Sequence, residues 1–393
     1  MDLSSTPRRA LRKLRMDGLG ELLTEGWDTL YVDALLYRGM YQNILLEHLD
    51  IVTRDELREL PGYVEYEETD ARVKYKGRDG LGDDGERFNA VNRFIYEESD
   101  ALFLGPVGPG ITSDGEVISE SVAPPPLVER RVGVCLAQSI DENGVRRTLN
   151  ALSGEVTPDR SFDTAAFVVP PWPNYYHWTM ESLLRVRLLE IHGEVTGTYP
   201  TLIVPRDRSS WVDETLSLLD YAGPVAGFNG GIAAVDTLVV PTYPDPTPAE
   251  CRWLRDRMRT GAGIDITESR ERVFVARDDA TVRRISNRDA VERVLNQYDI
   301  DSYLLGELSV REQVELFSNA ELVVAPHGAG LTNILYGDDL TVVELFGDKL
   351  VATFDRIAEN MDHTYQYLEC GQDGVDIHVN PDLLNQKLSD LLQ

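Results

Sequence analysis

Between residues 165 and 360 short apolar runs alternate with stretches of helical spacing. The runs at 165–169, 201–204 and 237–240 bracket helical text at about 177–192 and 211–220. A second series, 272–276, 302–305, 321–325 and 341–346, is interleaved with helices predicted at 287–297, 309–319, just after 328, and 352–360. Short, largely apolar runs suit strands covered on both faces, and strand–helix alternation predicts parallel sheets with helices packed against them. Ser309, followed three residues later by Glu312, is a capping-box start for the helix behind it.

Upstream the pattern weakens. Strand-like runs at 101–104, 117–122 and 132–136 are punctuated by Gly-Pro, Asp-Gly and Pro-Pro-Pro, which predicts a β-rich entry into the first α/β unit. Residues 1–88 mix helical text at 41–49 and 54–60 with a Gly/Asp-rich loop at 77–85, and no chemistry is assigned there. The Pro-rich break 241–248 marks a boundary. A chain of 393 residues exceeds what one core holds. The expected organisation is an N-terminal extension over 1–90, one α/β domain over 91–240 and a second over 241–393.

Composition narrows the partners. The formal net charge is −29, acidic residues are spread along the chain, and the few lysines are outnumbered by arginine. Such a surface repels nucleic acid, and its self-repulsion calls for screening by salt, which points to a salt-rich, halophilic cytoplasm. Cys135, Cys251 and Cys370 lie far apart with no C-x-x-C spacing, so neither a disulfide framework nor a thiolate zinc site is indicated, and a reducing compartment is expected. No signal-like or membrane-spanning run is found. The one basic patch, Arg8, Arg9, Arg12, Lys13 and Arg15, reads as a solvated helix face, with peripheral contact to the cytoplasmic membrane face as the alternative.

Three segments carry chemistry. Glu321 to Asn333 reads as a buried strand, a turn and a helix start, where small Gly328, Ala329 and Gly330 let a ligand approach the backbone and helix N–H groups can hold a pyrophosphate. The turn continues through Leu331 and Thr332 in a G-x-G-x-x-N pattern without the third glycine of the dinucleotide fingerprint, so a nucleotide diphosphate suits it better than a nicotinamide cofactor. His327 fits either a phosphate donor or a satisfied loop histidine. Glu344, at the next strand's end, fits a ribose-binding carboxylate or a solvated side chain. Arg277, Arg283 and Arg284, with Asn287, follow the strand at 272–276 into the same crevice, where guanidinium groups suit a departing diphosphate; surface ion pairing is the plainer reading.

In the first unit, His177, Glu181 and Arg185 stand at i, i+4 and i+8 on a helix that begins at a strand's C-terminal end. His177 can serve as general base on a hydroxyl with Glu181 orienting it, or as a buried histidine among Trp172, Tyr175, Tyr176 and Trp178. The His-x-x-x-Glu spacing lacks a third metal ligand, and Asp299-Ile-Asp301 falls in a helix-to-strand connection, so no metal site is assigned. A hydrolase is disfavoured because no G-x-S-x-G elbow supplies a nucleophile.

Taken in order, Asn174-Tyr-Tyr-His-Trp178 with Glu181 and Arg185, Arg277 with Arg283 to Asn287, Glu312-Gln313, and His327 to Asn333 followed by Glu344 resemble glycosyltransferase family 61 over roughly residues 99–370. That resemblance implies a GT-B-like fold of two Rossmann-type domains facing a cleft. It implies an inverting, metal-independent transferase moving a sugar from a nucleotide-diphosphate sugar to a glycan or lipid-linked acceptor, without a further cofactor. Arg277, Arg284, the His327–Asn333 turn and Glu344 would hold the nucleotide, while His177 and Glu181 face the acceptor and donor sugar. Ser182-Leu183-Leu184 before Arg185 departs from the family's frequent proline. A non-catalytic nucleotide-sugar-binding or scaffolding protein of the same fold is the alternative.

Overall fold

The computed structural model describes residues 49–392 apart from 68–80, 82–91, 124–126, 171, 229, 244–245, 267–269 and 349. Most of the expected 1–90 extension lies outside the described residues, including the basic patch at 8–15, nearly all of the helix at 41–49 and nearly all of the loop at 77–85.

The chain is mixed α/β with parallel sheets. Among the described residues its first sheet has nine strands: β1 (Ile51–Val52), β2 (Tyr63–Glu67), β3 (Arg93–Leu104), β4 (Gly110–Ile111), β5 (Val117–Ile118), β6 (Arg160–Phe167), β7 (Thr201–Pro205), β8 (Val225–Phe228) and β9 (Ile232–Pro241). They run in the order β1-β5-β4-β3-β9-β6-β7-β8, with β2 paired to β3. The half formed by β9, β6, β7 and β8 is parallel, and β3 joins it antiparallel along β9.

The expected strand at 132–136 is instead inside helix α1 (Val128–Asn143), followed by α2 (Val145–Leu152). A five-residue apolar run does not distinguish strand from buried helix. Here Val132, Cys135, Leu136 and Ile140 are buried at helical spacing while charged residues flank them. Helices α3 (Leu184–Thr196) and α4 (Ser210–Leu219) lie where predicted. On either side of residues 244–245, the described part of the Pro-rich break is built into the fold. Pro241 closes β9, Tyr243 is buried, and Thr247 opens helix α5 (Pro248–Ala262) through a capping box with Glu250 and a proline in the first turn.

The second sheet is wholly parallel, in the order β11-β10-β12-β13-β14. Its strands are β10 (Glu271–Val275), β11 (Asp301–Tyr303), β12 (Ala320–Pro326), β13 (Thr341–Phe346) and β14 (Thr364–Glu369). Helices α6 (Arg288–Leu295), α7 (Val310–Ser318) and α8 (Thr353–Asn360) follow the predicted pattern, and the turn after β12 opens a 3-10 helix, Ala329–Tyr336. Strand β14, the hairpin of β15 (Gly371–Asp373) and β16 (Asp376–His378), and helix α9 (Pro381–Leu391) add elements beyond those expected.

Alternation along the strands divides the core. Phe274, Leu322, Val324 and Val343 face α6 and α9. Val273, Val275, Val323, Ala325 and Val342 face the other way, into an apolar cluster that also holds Ala166, Leu202 and Val204 of the first sheet. The two α/β units are therefore joined by one continuous core between their sheets, with α3, α4, α5 and α7 packed in it.

Candidate active site

Strand order places the second unit's chemistry. In a sheet ordered like this one, the topological switch lies between the first and third strands, and ligands bind beyond the carboxyl ends there. Those ends are β10, running into Ala276 and Arg277, and β12, running into His327 and Gly328. A Cβ on Gly328 would fall 1.8 Å from Arg277 Nη1, so the guanidinium lies directly against the turn and glycine is required for that approach.

Arg277 is partly buried and its Nε has no hydrogen-bond partner. Burial and the neighbouring Arg283 charge lower its pKa to about 10, against a smaller opposite pull from Asp279. Arg283 is likewise lowered by burial, with Glu344 acting in the opposite direction. Its backbone is left-handed at φ 60, held by its N–H donating to Val375 O at 2.8 Å. Two half-buried guanidinium groups thus share the switch point. Such a pair lowers its free energy by taking an anion.

Arg284 and Asn287, expected in the same crevice, are committed elsewhere. Arg284 pairs with Asp376 of β16 at 2.9 Å, which raises its pKa. Asn287 Nδ2 donates to Val379 O at 2.7 Å and its Oδ1 accepts from Val379 N at 3.1 Å, stapling α6 to the segment behind β16.

The turn after β12 has a different division of labour from the one its sequence suggests. His327 Nδ1 lies 2.5 Å from Glu344 Oε1, and the ring stacks on Phe346. Glu344 is fully buried, its other oxygen accepting from the Tyr365 hydroxyl. Burial raises its pKa in spite of the His327 and Tyr365 contacts. Enclosed and doubly partnered, it orients His327 rather than reaching a ribose. A Cβ on Gly330 would fall 3.0 Å from Leu305 and 3.2 Å from Val275, so its small size serves helix–strand packing. Ala329 begins the 3-10 helix, and Thr332 and Asn333 are fully buried within it. Asn333 Oδ1 accepts from the Tyr175 hydroxyl at 2.9 Å while its Nδ2 donates to Gln313 Oε1 at 2.9 Å, joining the two units rather than facing a ligand.

That joint brings the first unit's segment to the second. Asn174 caps the short helix Tyr175–His177, which passes into a π-helical stretch, Trp178–Leu183, before α3. A π turn inside a helix often marks a functional site. His177 Nδ1 lies 2.8 Å from Glu181 Oε1, though bent away from a linear hydrogen bond. Arg131 of α1 clamps Glu181 from two nitrogens, each at 2.9 Å, and the Tyr243 hydroxyl donates to Oε2 at 2.7 Å. Burial pushes the Glu181 carboxyl up, but the His177 contact and the Arg131 charge and hydrogen bonds outweigh it and hold the pKa at about 2. Arg185 is buried beneath, its guanidinium 5.1 Å from the Tyr243 ring centre. The expected i, i+4, i+8 face therefore exists, gathered around Tyr243.

Arg131 and Tyr243 were not expected in the site. Arg131 stands in the charged run Glu129-Arg130-Arg131, just before the stretch expected as a strand, and Tyr243 in the Pro-rich break. The two histidines are connected through ring contacts: His177 to Tyr176 at 5.4 Å, Tyr176 to Phe354 at 5.8 Å and Phe354 to His327 at 5.3 Å. Each histidine thus presents a ring backed by a carboxylate, fully buried at Glu344 and largely enclosed at Glu181, where the two units meet.

No helix among the described residues is long and apolar enough to cross a membrane. No curated protein matches the chain. Among solved structures, the dodecameric iron-containing heptosyltransferase TibC in complex with ADP-D-beta-D-heptose aligns with a TM-score of 0.29 and 10% identity, over 48% of this chain and 60% of that one. Residues 175–343 match Glycosyltransferase 61, a stretch containing His177, Glu181, the arginines after β10 and the His327–Asn333 turn. That match makes this stretch, rather than the whole chain, similar to the Glycosyltransferase 61 family.

Proposed function

We propose that the chain is an inverting, metal-independent transferase of GT-B-like arrangement, moving a sugar from a nucleotide-diphosphate sugar to a hydroxyl of a glycan or lipid-linked acceptor. The observation that carries this reading is the pair of His–carboxylate contacts on opposite units, with two otherwise unpaired guanidinium groups, Arg277 and Arg283, beside one of them. On this reading 91–240 is the acceptor side and 241–393 the donor side.

The diphosphate lies against Arg277, Arg283 and the N–H groups that open the 3-10 helix at Ala329, which lack intrahelical partners. Guanidinium charge there stabilises the oxygen that departs, the part a divalent ion plays in other transferases. His327 donates from the same turn. Across the crevice, His177 takes the acceptor proton at Nε2 while its Nδ1–H faces Glu181. Glu181 stays a carboxylate and stabilises the imidazolium that forms. Attack from the face opposite the diphosphate inverts the anomeric carbon in one displacement. Nucleotide sugars are cytoplasmic metabolites, which is where this reading places the protein, with peripheral membrane contact left to the basic segment 8–15.

The test is His177→Ala. Turnover should fall by about 10²- to 10⁴-fold with nucleotide diphosphate affinity unchanged, and wild-type turnover should survive a chelator. A folded variant with wild-type turnover would remove His177 as base, and activity lost to the chelator and restored by manganese would remove metal independence.

A further inference from the structure

A second concavity lies apart from the two histidines. It has a volume of about 430 Å³ and opens beyond the carboxyl ends of β6, β7 and β8, where Pro170, Pro205 and Phe228 border it. Parallel strand ends are where a sheet of this kind takes ligands. The lining combines the rings of Trp211 and Phe228 with the carboxylates of Asp141, Glu142 and Asp207, and with Gln138, whose Oε1 is buried without a hydrogen-bond partner. Aromatic faces cover the C–H faces of sugar rings, and carboxylates and amides accept from their hydroxyls. The bordering cation Arg208 is already tied to Asp213 and to Pro205 O. With three carboxylates at the rim, an anionic sugar is repelled.

Helix α1 relates this cavity to the reacting groups. Arg131, which clamps Glu181, and Gln138 stand seven residues apart, two turns along one face, or about 10 Å. Pro173, just before the Asn174 cap of the His177 helix, also borders the cavity. A chain of sugars with its terminal hydroxyl at His177 would extend its next residues along α1 towards Gln138.

We propose that this cavity binds the non-reacting residues of the acceptor, and that the acceptor is an uncharged oligosaccharide chain rather than a single sugar or an acidic glycan. The proposal rests on the acceptor-side reading of the first unit. The probes are maltotriose, its monosaccharide glucose, and trigalacturonate, titrated against the full chain by saturation-transfer NMR and tryptophan fluorescence. Maltotriose should bind at least tenfold more tightly than glucose or trigalacturonate. Asp207→Arg, an exposed substitution that fills the rim with a long cation, should weaken maltotriose at least tenfold and leave nucleotide diphosphate affinity unchanged. Trp211→Ala should do the same if its melting temperature shows it folded. Tighter binding of trigalacturonate than of maltotriose, no binding of maltotriose to wild type, or undiminished binding in Asp207→Arg would each overturn the proposal. His177→Ala separates the two readings. Maltotriose binding that persists there supports the cavity whatever turnover does, while lost turnover with no maltotriose effect anywhere leaves the base and removes the cavity.

Discussion

Adjacent residues in this site have opposite fates. Arg283 and Arg284 follow one another, yet the left-handed backbone at Arg283, a conformation costing an L-residue roughly 1–2 kcal/mol, turns Arg283 towards the crevice and sends Arg284 to Asp376. Arg283→Ala is expected to weaken uridine, guanosine or deoxythymidine diphosphate by about 1.5–3 kcal/mol, the worth of a charge-assisted contact. Arg284→Ala should leave affinity unchanged and cost about 1 kcal/mol of stability, since its guanidinium is partly exposed and Asp376 keeps the Arg284 backbone N–H. Gly328→Ala meets only the flexible end of Arg277, so the protein should fold normally while binding weakens with the displaced guanidinium. Titration calorimetry on the three variants checks this, and equal losses at Arg283 and Arg284 would return both to the phosphate site. The His–Glu pairs differ in a similar way. Glu181 is held as a carboxylate by Arg131, whereas Glu344, with no guanidinium clamp of that kind, is raised by burial.

At the scale of elements, α5 connects the two units. It begins at the Thr247–Glu250 capping box, and Glu250 also forms a buried bidentate pair with Arg93 of β3 at 2.6 and 2.7 Å. The same carboxylate thus closes a helix end and ties that helix to the first sheet. Thr247→Ala removes only the side-chain cap and should cost about 1 kcal/mol. Glu250→Ala also removes the bidentate carboxylate from a buried guanidinium and should cost about 3 kcal/mol or more. Denaturant unfolding distinguishes the two, and similar losses would show that the Arg93 pair contributes nothing net. The capping box was legible as Thr-Pro-Ala-Glu, but it stood inside a Pro-rich run that reads first as a break. The run 132–136 was misread for the complementary reason, since its burial on one helix face depends on neighbours far along the chain.

Across the whole molecule, one apolar cluster spans both units, and a net charge of −29 surrounds it. Self-repulsion on that scale should relax as the Debye length falls from about 10 Å at 0.1 M salt to about 3 Å at 1 M, so the melting temperature should rise with potassium chloride. Acid acts through His363, which is buried with Leu340 N–H donating to Nδ1 at 3.3 Å and with Nε2 2.9 Å from Ile334 O. Burial holds its pKa below the ordinary 6.5. The unfolded chain then binds the proton more readily, so this contribution is present above about pH 6.5 and is lost as pH falls through the folded pKa. A melting-temperature grid of salt and pH on wild type and His363→Gln checks both. A flat salt response would remove the screening reading, and identical acid slopes in the two proteins would remove His363.

The sequence by itself determined the alternation of strands and helices from 165 onward, the close turns after β10 and β12, and the shared face of His177, Glu181 and Arg185. All three depend on local backbone geometry: a period of two along strands, a turn of about four residues along helices, and small residues where a chain must bend closely. Only the tertiary structure decided the partners. It brought Arg131 to Glu181 across fifty residues of sequence, gave Asn333 to Tyr175 and Glu344 to His327, and turned two neighbouring arginines apart. Those choices depend on which buried polar group finds its complement once the sheets have packed, and no local pattern encodes that.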